Sequence, residues 1–231
     1  LHVSSKFRRQ SWFARFVRAL IFTAVVPLVV YFGCVVILTF LFRTVDPPVT
    51  TLMILRAAEG YHVRPVRTIP YRLIPQYVKT SVVFLEDHDF WHHHGIAPGA
   101  LKEAWQADLE AGKLERGGST ITQQLARTLF LYPHRTFLRK ILEAGTSLIL
   151  ESILDKRRIL ELYLNEIEWG PGVFGIEAGA RYQFGTGVRK LSDDQQARLL
   201  AIITNPLVFS VKNFAHNRGM AARYWALIEG P

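Results

Sequence analysis

Residues 19–42 carry no ionisable side chain apart from Tyr31 and Cys34, and this run constrains the chain more than any other stretch. As a helix rising about 1.5 Å per residue it reaches roughly 36 Å, enough to cross a hydrocarbon core of about 30 Å with some tilt. Pro27 and Gly33 interrupt it, which a lipid-embedded helix tolerates. The run exceeds the roughly 7 to 15 residues of a signal-peptide core and no small-residue cleavage pattern follows it, so a retained anchor is expected. Lys6, Arg8, Arg9, Arg15 and Arg18 precede it without an acid, whereas Arg43 and then Asp46 follow. The positive-inside rule then places the N-terminus in the cytoplasm and residues 43–231 across the membrane.

That topology divides the net charge. The whole chain has 28 Lys+Arg against 19 Asp+Glu, a formal +9; setting aside the five charges before the span leaves 23 against 19, or +4. Nucleic acid is an unsuitable partner for a domain outside the membrane. The single cysteine excludes an intramolecular disulfide and a Cys-rich zinc module, and 49% hydrophobic with 20% charged residues excludes a disordered chain.

Beyond the anchor the apolar spacing is helical. Pro47, Pro48, Pro65 and Pro70 mark residues 43–69 as a linker around a short helix near 49–58. Helices are then expected over 73–85, over 98–111, and from Thr120 to about Leu131, where Thr120-x-x-Gln123 forms a capping box. Residues 136–165 read as one long or two abutting helices, with further helices near 175–184, 192–204 and 216–229. No strand alternation stands out. The expectation is a mainly α protein: a basic tail (1–18), a transmembrane helix (19–42), the linker (43–69) and one helical domain (70–231).

Three segments concentrate chemistry. Glu86 to Gly95 holds three carboxylates, four imidazoles and two aromatics, and a carboxylate against aromatic walls gains basicity. His88 and His92 have the i, i+4 spacing of metal ligands but lack an HExxH partner pattern. In the second segment, Gly117 and Gly118 lead into a helix start whose exposed N–H groups suit phosphate oxygens or a plain Ser119 or Thr120 cap. No lysine follows those glycines, which argues against a nucleotide P-loop. The third segment puts Arg139, Lys140 and Glu143 on one helix face. Between Arg127 and Arg158 stand seven basic and three acidic residues, a local +4 suited to a multiply charged anion.

EDxxFxxHxG at 86–95, GGSTITQQ at 117–124, RKxxE at 139–143 and KxxILExYLN at 156–165 occur in one order. Together, over about residues 70–210, they resemble the peptidoglycan glycosyltransferases of glycosyltransferase family 51, which polymerise lipid II. The chain has no SxxK or KTG motif of a transpeptidase domain, and 168–175 is similar to the monofunctional biosynthetic branch. The resemblance implies a lysozyme-like, two-lobed helical domain with a membrane-dipping jaw between about 96 and 118, where Gly95, Gly112, Gly117 and Gly118 allow hinging. It implies Glu86 as general base and Glu143 as the second carboxylate near the donor diphosphate, with a divalent cation (Mg or Mn) as an optional cofactor. Ser119, Gln123, Gln124, Arg127, Arg139 and Lys140 match positions that hold the diphosphate and sugars. The implied partners are lipid II, the growing glycan strand, the bilayer and other cell-wall synthesis proteins.

A diphosphate leaves without a proton once its charge is neutralised, so one base and a cationic bed serve transfer, whereas a glycosidase needs a protonated acid as well. Arg127-Thr128 stand where the family usually has Lys-Asn, Ala97 where an acid is common, and Gln183-Phe184 where Tyr-Phe is usual. A lysozyme-like hydrolase on the same anchor, or a scaffold with weakened catalysis, are the alternatives.

Overall fold

The structure, a computed structural model, describes residues 12–19, 21–96, 119–133 and 136–229. It is mostly helical, as expected. Helix α1, Trp12–Leu41, is the one helix among the described residues long and apolar enough to cross a membrane: its most apolar window has a mean hydropathy of 2.7 and is only 6% buried. A π-helical turn at Ile21–Val25 lies just before Pro27. Such a turn accommodates a proline that cannot donate to the ordinary ladder.

Eight further helices follow among the described residues: α2 (Thr51–Ala58), α3 (Gln76–Glu86), α4 (Ile121–Phe130), α5 (Phe137–Ile153), α6 (Lys156–Glu166), α7 (Ile176–Phe184), α8 (Asp193–Ala201) and α9 (Arg218–Ile228). The helix expected over 98–111 and the hinged stretch around it lie outside the described residues, as do Lys6, Arg8 and Arg9 of the basic tail. Side-chain caps start most of the helices. Thr120 and Gln123 make the expected capping box, and Ser192 and Gln195 make another. The run over 136–165 is two helices, because Leu154 and Asp155 are extended and the Asp155 carboxylate accepts the Arg158 N–H at 2.8 Å.

Fully buried Tyr163, Trp169, Phe90, Ile121, Leu125 and Leu150 belong to the central core, around the place where α4, α5 and α6 meet. Each such side chain contributes about 1.5–3 kcal/mol through removal from water. Residues 69–71 are strapped to α6 by side chains of the KxxILExYLN segment. Asn165 exchanges two hydrogen bonds with the Ile69 backbone (3.1 and 2.9 Å), and Glu161 accepts the Tyr71 N–H at 2.7 Å.

Between α6 and α7 lies a small antiparallel hairpin, β1 (Glu168–Gly170) with β2 (Val173–Phe174), which no strand alternation in the sequence announces. Both strands are wholly buried and too short to show an alternating pattern. Gly172 turns the hairpin at φ +69°, and a Cβ there would stand 2.5 Å from the His62 carbonyl oxygen, so a side chain is excluded twice.

Glu166, at the end of α6, is fully buried and neither carboxylate oxygen has a hydrogen-bond partner. Burial, reinforced by Asp46 and opposed by Arg158, pushes its carboxyl up to about 8 from 4.5. The folded protein therefore binds this proton more tightly than the unfolded chain, and stability falls as pH rises from about 4.5 towards and through 8. Glu166→Gln should raise the melting temperature at pH 9, by on the order of a few kcal/mol of stability, and leave it nearly unchanged at pH 4. Equal melting of the two proteins at pH 9 would contradict the protonated burial of Glu166.

Candidate active site

Two clusters occupy the face where α3, α4, α5 and α9 come together. The first surrounds Glu86, the last residue of α3. Arg223 of α9 donates from Nη2 to Glu86 Oε1, and Gln124 of α4 donates from Nε2 to Oε2 at 2.9 Å. Tyr163 of α6 donates its hydroxyl to Gln124 Oε1 at 3.0 Å, which fixes the orientation of that amide. Burial, and then the Glu86 carboxylate, hold the Tyr163 phenol well above its ordinary range, so it stays a donor. The Glu86 side chain is 8% exposed.

The second cluster surrounds Glu143, fully buried on α5. Arg139 donates to Oε2, Lys140 Nζ reaches Oε1 at 2.8 Å, and Arg127 Nη1 stands 4.0 Å from Oε2. Lys140 also donates to Ser119 Oγ at 2.9 Å. Three cations share one carboxylate, leaving a local charge of +2. Arg139 keeps one buried Nε–H without a partner. Both arginines, with Gln124 and Thr128, line a cavity of about 300 Å³ closed by the Arg56–Glu168 pair (2.9 Å) and Asn205, Pro206 and Leu207. A cavity carrying one carboxylate-bound amide and two guanidinium groups can orient a hydroxyl on one side and take an anionic oxygen on the other.

One junction holds the two motif segments together. Asp87 accepts hydrogen bonds from His93 Nε2 at 2.8–2.9 Å and from the Ile121 N–H at 2.9 Å, so its charge lies at the start of α4. His93 Nδ1 accepts the Gly95 N–H at 3.0 Å, which assigns the ring proton to Nε2. Thr120 Oγ1 donates to Gly95 O at 2.7 Å. Gly95 adopts φ +90°, and a Cβ would press to 3.0 Å against Ser147 O and Glu151 Cγ.

Among the residues expected from the sequence, Glu86 is joined to Gln124, and Ser119, Arg127, Arg139, Lys140 and Glu143 are gathered in the second cluster. Gln123 is buried, its Oε1 accepting the Thr120 N–H at 3.1 Å in the capping box. The surplus of charge between Arg127 and Arg158 does not act as one bed. Lys156 pairs with Glu151 at 2.7 Å, and Arg158 pairs with Asp46 at 2.8 Å and with Glu161. The aromatic group linked to Glu86, through Gln124, is Tyr163; Phe90 packs elsewhere, with Lys156 Nζ 4.6 Å over its ring. Arg223 was not singled out from the sequence, since a lone arginine on an amphipathic terminal helix carries no local signal.

A divalent cation does not fit at Glu143, where Arg139, Lys140 and Arg127 already place three positive charges around one carboxylate and would repel it. Among the described residues no group of three or more His, Cys, Asp or Glu could hold a metal, His88 and His92 included.

Residues 55–228 match the family model described as Transglycosylase. Among curated proteins the chain is similar to three named biosynthetic peptidoglycan transglycosylase. That of Nitrosomonas eutropha is 44% identical over 169 residues (71% of this chain, 69% of the relative). The Caulobacter vibrioides protein is 40% identical over 198 residues (85% and 86%). The Nitrobacter winogradskyi protein is 44% identical over 172 residues (74% and 75%).

Asp87→Ala would leave His93 Nε2 and the Ile121 N–H without acceptors. A loss of about 2–4 kcal/mol is expected, read as a lower melting temperature together with faster hydrogen exchange at the Ile121 amide. Unchanged exchange there would contradict the junction.

Proposed function

The chain belongs to the transglycosylase family, and we propose from that membership that it polymerises lipid II into β-1,4-linked glycan strands of peptidoglycan. The observation that carries the reading is the shared cavity. Gln124, which holds Glu86, and Arg127 and Arg139, which gather on Glu143, line the same space.

In the proposed reaction Glu86 takes the proton from the 4-hydroxyl of the acceptor GlcNAc. The oxygen then bonds to the anomeric carbon of the donor MurNAc. The bond from that carbon to the diphosphate breaks, its electron pair staying on the undecaprenyl diphosphate, and the α linkage becomes β. Arg223 and Gln124 each occupy one Glu86 oxygen, holding the carboxylate in orientation while a second lone pair on each remains for the proton. Arg127, Arg139 and Lys140 receive the charge that develops on the leaving group. Ser119 steadies the Lys140 ammonium. No step needs a metal ion.

Helix α1 supports a membrane-anchored enzyme. In this reading its N-terminus is cytoplasmic and the helical domain faces outward from the cytoplasmic membrane, where the lipid-linked substrate lies. Phe137, Leu138, Ile141 and Leu148 are exposed on the face of α5 opposite buried Arg139 and Glu143, which suits contact with lipid.

The test is the purified full chain with lipid II in detergent. Polymer should form; release of soluble fragments from finished glycan in place of polymer would point to a hydrolase. Glu86→Gln should lower turnover by about 10²- to 10⁴-fold, and undiminished turnover would remove the base assignment. Arg223→Ala, which leaves Glu86 one fixed donor, should lower kcat by about tenfold with a smaller change in KM.

A further inference from the structure

Helix α1 is not only a tether. One turn beyond Glu143, α5 is in contact with it: Tyr31 OH and Thr146 Oγ1 share a hydrogen bond of 2.8 Å, and Thr146 is fully buried. The adjacent Gly145 lies so near Phe32 that a Cβ on it would stand 3.0 Å from Cζ and 3.1 Å from Cε1. Farther along, Val35 and Thr39 are buried, and Phe42 stacks on Phe130, the last residue of α4, with ring centroids 6.2 Å apart. Arg158 of α6 closes the junction, donating to Phe42 O at 2.8 Å and to Val45 O at 3.0 Å.

An anchor that only retains the enzyme at the bilayer needs none of these contacts. The elements at this junction include the two that carry the cations, α5 with Arg139 and Lys140 and, through Phe42 just past the end of α1, α4 with Arg127. Three like charges crowded on one carboxylate repel one another, so their spacing has to be imposed by the helices that bear them. Ser147 Oγ donates to the Glu143 carbonyl at 2.6 Å, so the turn touched by α1 is hydrogen-bonded directly to the turn of Glu143.

We propose that the outer half of α1, together with the Phe42 that follows it, is a positioning element of the active site, in which Tyr31 and Phe32 hold the Glu143 turn of α5 and Phe42 holds the end of α4. The spacing of Arg127, Arg139 and Lys140 then depends on the membrane helix. This rests on the lipid II reading, and wild-type turnover tests that reading separately.

The experiment compares full-length proteins in one detergent with lipid II as substrate. In one, residues 21–41 are replaced by a leucine- and alanine-rich helix of equal length. In a second, Gly145→Leu wedges α5 away from Phe32, and a third adds Phe32→Ala to that wedge. The replaced helix and the wedge should each lower kcat by about ten- to a hundredfold with KM changed by less than about threefold. The third protein should recover to within about threefold of wild type, and a melting temperature of the wedge variant close to that of wild type separates repositioning from a folding defect. Wild-type kcat in the helix replacement, or a wedge defect that Phe32→Ala leaves in place, would overturn the proposal. Absence of polymer from wild type would instead overturn the lipid II reading.

Discussion

A buried carboxylate among three cations organises the site. Glu143 has no exposure, and Arg139 and Lys140 reach it from positions i−4 and i−3 of its own helix. A carboxylate in that place is tolerable only while paired, and losing one member of such a cluster costs about 3–5 kcal/mol. The pairing works in both directions. Glu143 is paired by the cations, and the cations are kept together by Glu143. The excess of positive charge faces the cavity, where Arg127 and Arg139 form part of the wall.

The other half of the site depends on packing between distant segments. Glu86 ends α3, yet its partners come from α4 and α9, and Tyr163 of α6 stands behind Gln124. Asp87, the next residue, holds the beginning of α4 and the His93 ring. Neighbouring carboxylates thus have separate partners: Glu86 is held by Gln124 and Arg223, and Asp87 fixes the start of the helix that supplies Gln124. The position of Arg223 is set in turn by α9, whose Tyr224 donates to Asp194 at 2.6 Å and whose ring lies under the Arg198 guanidinium.

Much of this was legible in the residues. Helix starts were readable because a cap is local chemistry: Thr120 with Gln123 spans three residues. The apolar run of α1 was readable because its length and lack of charge leave few alternatives. The hairpin at 168–174 was not, since strands of two and three buried residues have no period to detect. Glu166 also gave no sign of being buried, because its neighbours in sequence alternate between apolar and charged residues.

The sequence by itself determined the long apolar run of α1, the helical class, and the order of motif segments that resembles the family. Tertiary structure alone decided which charges act together. Lys156 and Arg158 lie in the same basic stretch as Arg139 and Lys140, but Glu151, Asp46 and Glu161 neutralise them elsewhere. It also decided that Arg223 meets Glu86 and that Tyr31 meets Thr146. The physical reason is range. Caps and periodicity act within a few residues, whereas an ion pair or a buried hydrogen bond depends on distance in space, which only the packed helices define.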